Sequence, residues 1–304
     1  MAGAFNLSLV VAAIRLTTPI LLAALGGLFT QQANVLNIAL EGMMLSGAFT
    51  AVAVSYFTHS WVAAVLSAML VGLIMAWLLG AFVVRFRALN VIAGMAVNLF
   101  ASGFTAFLLR TLWTNKSEMT QGLVGIPNVV IPGLANVPIL KELVSGYSLL
   151  VYVSIALIFI AQFVLYKTRP GLRIRAVGET PQAAASLGVD PNRIRFISIL
   201  ISGILCGLAG AHLSLGALCM FTENMTAGRG FMAMAVIFFG DAVPYKVAIG
   251  AFLFGLAEAI SMRLQSVGLP SHFIIMIPYV FTVLSIILVS INKMKAQMSK
   301  PSES

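Results

Sequence analysis

The chain has 304 residues, 60% of them hydrophobic and only 9% charged, with a formal net charge of +9. Soluble domains carry about 25% charged residues, so a water-solvated globule is excluded and lipid is the expected solvent. The positive charge does not point to nucleic acid. Its lysines and arginines sit in short clusters between apolar runs, as the positive-inside rule requires, rather than along one polar face.

A membrane-crossing helix needs about 20 mostly apolar residues. In chain order the sequence predicts nine such segments, with a range of eight to ten, at 7–29, 35–58, 61–84, 88–112, 148–166, 194–218, 227–240, 245–263 and 271–292. The first carries Arg15 and Pro19, and the seventh is short. The expected architecture is all-α, a single transmembrane domain over 1–304. No basic n-region with a following Ala-x-Ala site marks a cleavable signal, so the first segment is expected to be retained. Placing Lys293, Lys295 and Lys300 in the cytoplasm puts twelve of the 18 basic residues on that side, the N-terminus outside and the C-terminus inside. The opposite orientation inverts the bias.

Two polar connections interrupt the spans. Residues 113–147 face outward, with Pro127, Pro132 and Pro138, and are expected to form irregular structure over the outer face. Residues 167–193 face the cytoplasm and hold a short helix at 181–187. Thr180 suits its N-cap, Pro181 its first position, and Gly188 the left-handed residue past its end. Asp190-Pro191 repeats the start signal for the next span. A helix of about seven residues is unstable alone. Either it docks into a separate cytoplasmic protein, or it lies on the lipid interface as an ordinary connection.

Several polar residues fall inside apolar segments, where a charge costs about 2.5–3.5 kcal/mol on insertion scales. Glu41, in the second span, either lines a pathway or fixes an irregular turn. Glu258 in the eighth is read as an interhelical partner. Asn98, Ser102 and Thr105 share one helix face and serve either a solute or a neighbouring helix. Gly203, Gly207, Gly210 and Ser214 form a small-residue stripe for close packing. The block Thr226-Ala227-Gly228-Arg229-Gly230-Phe231 opens the short seventh segment with glycines, as broken helices beside a substrate path do. Arg229 there faces an outer partner, closes a channel or snorkels. Cys206 and Cys219 read as two buried thiols, too far apart for a disulfide if on one helix. His59, His212 and His272 are isolated, so no metal site is expected. No lysine follows a glycine, so the Gly-x-x-x-x-Gly-Lys phosphate loop is absent.

Four blocks together carry a resemblance. Gly178-Glu179 through Ala183-Ala184-Ala185 to Gly188 is similar to the coupling helix of ABC importer permeases. Ala33 through Met44, Phe221 through Phe231, and Leu269-Pro270 through Met276-Ile277-Pro278-Tyr279 resemble further signatures of the permeases for branched-chain amino acids, ribose and nucleosides, leaning to the nucleoside and simple-sugar branch. One departure is Phe239-Gly240-Asp241, where that branch has a basic residue after Phe-Gly. The resemblance implies a type II importer permease with no catalytic activity and no cofactor of its own. It would work with a homologous second permease, a cytoplasmic ABC ATPase and an extracytoplasmic solute-binding lipoprotein, in the bacterial cytoplasmic membrane. Glu179, Ala183, Ala184, Ala185 and Gly188 are then the ATPase-coupling residues. Glu41, Asn98, Ser102, Thr226 and Arg229 are the candidates for the translocation path of a neutral solute such as guanosine or a simple sugar. Two other classes compete. An ion-coupled secondary transporter would use Glu41 and Glu258 as coupling sites. An intramembrane enzyme needs clustered nucleophiles or acid–base pairs, and none is visible.

Overall fold

The computed structural model describes residues 2–113, 118–120, 122–129, 145–265 and 280. Among these, seven helices are long and apolar enough to cross a membrane, over Leu7–Gln32, Leu40–Thr58, Trp61–Arg85, Asn90–Leu112, Leu149–Lys167, Pro191–Leu218 and Pro244–Leu264. A shorter apolar helix, Arg229–Phe239, makes an eighth. The ninth expected segment, 271–292, lies outside the described residues, as do the last-helix motif and most of 113–147.

In chain order the helices are α1 (Ala2–Gln32), α2 (Leu40–Thr58), α3 (Trp61–Gly80, ending in a π-turn at Ala81–Arg85), α4 (Asn90–Leu112), α5 (Leu149–Lys167), α6 (Arg169–Glu179), α7 (Pro181–Ser186), α8 (Pro191–Ala211, continued as a π-helix over His212–Leu218), α9 (Arg229–Phe239) and α10 (Pro244–Gln265). Four two-residue strands form two antiparallel pairs. Glu118–Met119 (β1) pairs with Phe221–Thr222 (β4), and Asn128–Val129 (β2) with Tyr147–Ser148 (β3). Pro19 does not interrupt α1. The second span starts later than its hydropathy suggests, because residues 33–39 run as irregular chain before Leu40.

α8 is the central helix, packed against α1, α2 and α3. In lipid no hydrophobic force draws helices together, so close van der Waals packing must do it, and small residues permit the approach. The predicted glycine stripe performs this role on two sides at once. A Cβ at Gly203 would strike the Gly72 carbonyl and Ala76 of α3, and one at Gly207 would strike the Ala68 carbonyl. On the other side a Cβ at Gly47 of α2 would lie 2.7 Å from the Gly207 Cα. Gly26 of α1 approaches the Ser202 carbonyl in the same way, at 2.9 Å. Cys206 is buried on α8, whereas Cys219 is exposed with φ of 51°. The expectation of two buried thiols fails because the helix ends in a reversal at Leu218, leaving Cys219 on the loop.

One end of the bundle gathers residues 32–35, 83–90, 167–193 and 240–242. Gln32 Nε2 donates to the Ala242 carbonyl at 2.7 Å, and Arg195 Nε donates to the Ala33 carbonyl at 3.4 Å. Gly178 of α6 abuts the Gln32 carbonyl so closely that a Cβ would not fit. Arg85, Arg87, Lys167, Arg169, Arg173, Arg175, Arg193 and Arg195 lie at this basic end. The opposite end carries the two strand pairs and the segment 122–127. There Ser55 Oγ both donates to the Val124 carbonyl and accepts from its N–H, each at 3.0 Å.

The stripe gives a direct test. Gly207→Val should cost about 1–3 kcal/mol through overpacking and lower the yield and melting temperature of the purified protein. Gly103→Val, at an α4 position where a Cβ meets nothing within 4 Å, should leave both unchanged.

Candidate functional site

The first candidate site is built around the start of α9. With 11 residues this helix is about 16 Å long, half the hydrocarbon thickness of a bilayer. One end reaches the basic face at Gly240, so the other starts inside the bundle. The chain arrives there through a turn in which Asn224, Ala227 and Gly228 all have positive φ, at 53°, 45° and 81°. Among the described residues, only Gly228 of these adopts that region without steric cost.

A helix start leaves four N–H groups without intrahelical partners, and in lipid each must find an acceptor. Glu41 supplies two. Its Oε1 accepts from the Gly228 N–H at 2.8 Å and its Oε2 from the Gly230 N–H at 2.6 Å. The negative carboxylate also sits at the positive end of the α9 dipole. Glycine is required at 230, since a Cβ there would press on the backbone of Glu41, 2.5 Å from its Cα. Arg229, between these two contacts, turns into the bundle and pairs with Glu258 of α10. It is only 9% exposed, and its Nη1 donates to the Met225 carbonyl at 3.1 Å. Thus Arg229 is directed inward rather than to the surface, and Glu258 is its interhelical partner.

α4 holds the other side of this turn. Asn98 braces the start of α2: Oδ1 accepts from the Gly42 N–H at 2.8 Å and Nδ2 donates to the Ile38 carbonyl at 2.9 Å. One turn on, Ser102 Oγ donates to Asn224 Oδ1 at 2.7 Å. Farther along, Arg110 makes a two-pronged pair with Glu223, at 2.8 and 3.1 Å. Arg110 holds the Glu223 carboxyl below the usual carboxylate range. A depressed folded value means that the pair contributes above the unfolded value of about 4.3 and is lost as pH falls through the lower folded one. Thr105 does not join this ladder; it donates back to the Ala101 carbonyl of its own helix at 2.7 Å. Thr226 is buried, and its carbonyl accepts from the Arg229 N–H at 2.9 Å. Glu41 and Ser102 therefore meet Thr226 and Arg229 around one turn, and Asn98 braces the adjoining start of α2.

The second candidate site is the 167–193 connection. Its first half is not a loop but a helix, α6. Thr168 accepts from the Gly171 N–H at 3.4 Å and donates to the Val164 carbonyl at 2.6 Å, so it caps α6 while tying it to α5. Gly171, Ile174 and Val177 are buried at helical spacing. Arg175 donates to the Leu165 carbonyl at 3.0 Å and covers the Tyr166 ring at 4.8 Å. The signal for α6 was present in the sequence: Thr168-Arg169-Pro170 opens this helix much as Thr180-Pro181 opens the next.

α7 follows over Pro181–Ser186, with Leu187 as its cap. Gly188 has φ of 80°, and its N–H closes on the Ala185 carbonyl at 2.9 Å. Asp190 caps α8 by accepting from the Asn192 N–H at 2.9 Å. Thr180, by contrast, makes no side-chain cap bond, because it is shared between the end of α6 and the start of α7 with its backbone near ψ of 89°. Ala184 points inward, whereas Ala183, Ala185 and Gly188 are exposed and Leu187 is 84% exposed. Beside this connection lies a polar cleft of about 380 Å³ bordered by Gln31, Gln32, Asn34, Arg175, Glu179 and Asp241. Asp241, where the resembling permeases carry a basic residue, occupies a turn in which it and Ala242 both have positive φ, 53° and 50°.

A polytopic helical bundle with a half-helix braced at mid-depth and an exposed two-helix connection at one basic end defines a membrane-transport permease. The chain belongs to the branched-chain amino acid transport system permease component family, whose model matches residues 9–291. It is 34% identical to the guanosine ABC transporter permease protein NupQ of Bacillus subtilis over 280 residues, 88% of this chain and 87% of that one. It is 32% identical to the nucleoside ABC transporter permease protein NupC of Lactococcus lactis, with the same coverage. The fold matches a solved ABC transporter described as of metal-chelate type, in an inward-facing conformation, with a TM-score of 0.52 and 16% identity over 91% of this chain and 84% of that one.

The two carboxylates should separate by experiment. Removing one partner of a buried ion pair costs about 3–5 kcal/mol, so Arg229→Ala or Glu258→Ala alone should strongly lower the melting temperature. The double variant should recover part of that loss, giving a nonzero coupling energy in a double-mutant cycle. Glu41→Ala should cost about 1–3 kcal/mol for unsatisfied N–H groups and expose a cysteine placed at 226, where the native threonine is buried, to water-soluble thiol reagents.

Proposed function

We propose that this chain is one of two transmembrane subunits of an ABC importer for purine nucleosides, guanosine foremost. The observation that carries the reading is the exposed apolar ridge of α7. Ala183, Ala185 and the 84% exposed Leu187 form a projecting tip of carbon surface, as a helix seated in another protein's cleft would. We take the basic end as the cytoplasmic side, with the C-terminus inside, on the positive-inside rule. While the buried Ala184 seats α7 on this chain, an ATPase binds Glu179, Ala183, Ala185 and Gly188. It moves α6 and α7 as a unit, because α6 is tied to α5 through Thr168 and Arg175 and abuts α1 through Gly178.

The path lies along the half-helix turn and α4, between this chain and a homologous permease, where Asn98 and Ser102 offer neutral polar groups and Thr226 is buried behind them. Arg229 and Glu41 hold the turn rather than bind charge, which suits an uncharged nucleoside. The same pairing speaks against the ion-coupled alternative, since both carboxylates it would use are engaged in joining helices. An extracytoplasmic binding lipoprotein delivers solute at the opposite end. The nucleoside assignment draws on the two relatives named for guanosine and nucleoside transport.

The test is reconstitution in proteoliposomes with the cognate ATPase and binding protein. ATP should drive guanosine uptake. Leu187→Asp should reduce uptake and solute-stimulated ATP hydrolysis by more than about tenfold, the equivalent of 1.4 kcal/mol in docking, while leaving the amount of inserted permease unchanged. Uptake driven by a proton or sodium gradient without ATP would overturn the reading.

A further inference from the structure

α1, α5 and α10 enclose an apolar groove of about 300 Å³, lined by Ile14, Leu21, Val151, Ile155, Ile158 and Phe252 among others. From Val151 to Ile158 its α5 wall rises about 10 Å, or a third of the bilayer core. Of the hydroxyls that line it, Tyr152 donates to the Val129 carbonyl at 3.4 Å, and the three aliphatic ones are turned back onto their own helices. Thr17 donates to the Ala13 carbonyl at 2.7 Å, Thr18 to the Ile14 carbonyl at 3.0 Å and Ser154 to the Val151 carbonyl at 2.7 Å. The groove therefore presents carbon along its length.

Its rim, at the end opposite the basic face, is cationic. Arg15 is the only charged residue of α1; its side chain is exposed, with its guanidinium 5.8 Å over the ring of Tyr147, a groove-wall residue. Two turns away Arg263 of α10 donates to Ser8 of α1, joining the same two helices. No acidic side chain lines the groove. An exposed arginine within an apolar span is costly unless it reaches the interface, and a phosphate there would offset the cost through charge-assisted hydrogen bonds.

We propose that this groove binds an anionic phospholipid of the leaflet opposite the basic end, with its phosphate on Arg15 and one acyl chain between α1, α5 and α10. A zwitterionic headgroup would bring its ammonium beside Arg15 and Arg263, so a lipid such as phosphatidylglycerol is favoured. The site rests on membrane placement and is independent of the transported solute.

Native mass spectrometry of the assembled, delipidated transporter, titrated with phosphatidylglycerol or phosphatidylethanolamine, tests it. Phosphatidylglycerol should bind preferentially. Arg15→Gln should weaken that binding about fivefold, the worth of one basic residue near a lipid surface, with phosphatidylethanolamine unaffected. Arg15→Lys should retain the preference, and Ile155→Trp, which fills the groove, should abolish it in an intact assembly. Equal binding of the two lipids, or unchanged phosphatidylglycerol binding in Arg15→Gln, would overturn the site. A photo-crosslinker at position 155 should label lipid; labelling of a protein subunit instead would show that the groove is an interface and sink the proposal.

Discussion

A helix that begins in the middle of a membrane must have its first N–H groups satisfied by the protein, because lipid offers no acceptor. The placement of α9 depends on this constraint, and Glu41 meets it from 187 residues away in sequence. The carboxylate does three things at once. It accepts two N–H bonds, opposes the helix dipole, and fixes α2 against α9 at a glycine where no side chain would fit. Glu41 is thus spent on holding the start of α9, and the cost of placing a carboxylate there is offset by the two bonds it accepts.

The surrounding contacts extend this brace to two further helices. Toward α10, Arg229 and Glu258 lock the same turn from behind. Along α4, Asn98, Ser102 and Arg110 each hold a different piece of irregular chain: the start of α2, Asn224 and Glu223. A single helix face therefore positions two non-helical segments. Any rigid-body shift of α4 would be felt at the turn directly, which gives the half-helix a mechanical link to the rest of the bundle. At the basic end, α6 and α7 are anchored by backbone contacts to α1 and α5 while their outer surface stays uncovered by the described chain.

Packing of the scaffold follows the rule for helices in lipid. α8 approaches α2 and α3 closely because glycines face one another across both contacts. That geometry leaves large side chains, such as Phe159 and Phe163 of α5, on the outside, where apolar solvent accepts them.

Much of this was legible in the sequence. Apolar length alone located the spans, since the bilayer imposes a fixed thickness on any helix that crosses it. Gly188 and Asp190-Pro191 marked local boundaries because capping and left-handed turns are determined by a few adjacent residues. The small-residue stripe of α8 announced close packing. The helix α6 was overlooked although its start signal was present, because its low hydropathy made it read as loop. What only the tertiary structure decided is who meets whom. The sequence left Glu41 and Arg229 open between pathway and scaffold, and nothing in the spacing of 41, 229 and 258 paired them. Those contacts join residues on different helices, and periodicity along one helix carries no information about the facing residue on another. The same reason hid the groove beside Arg15, whose three walls are contributed by segments at the beginning, middle and end of the described chain.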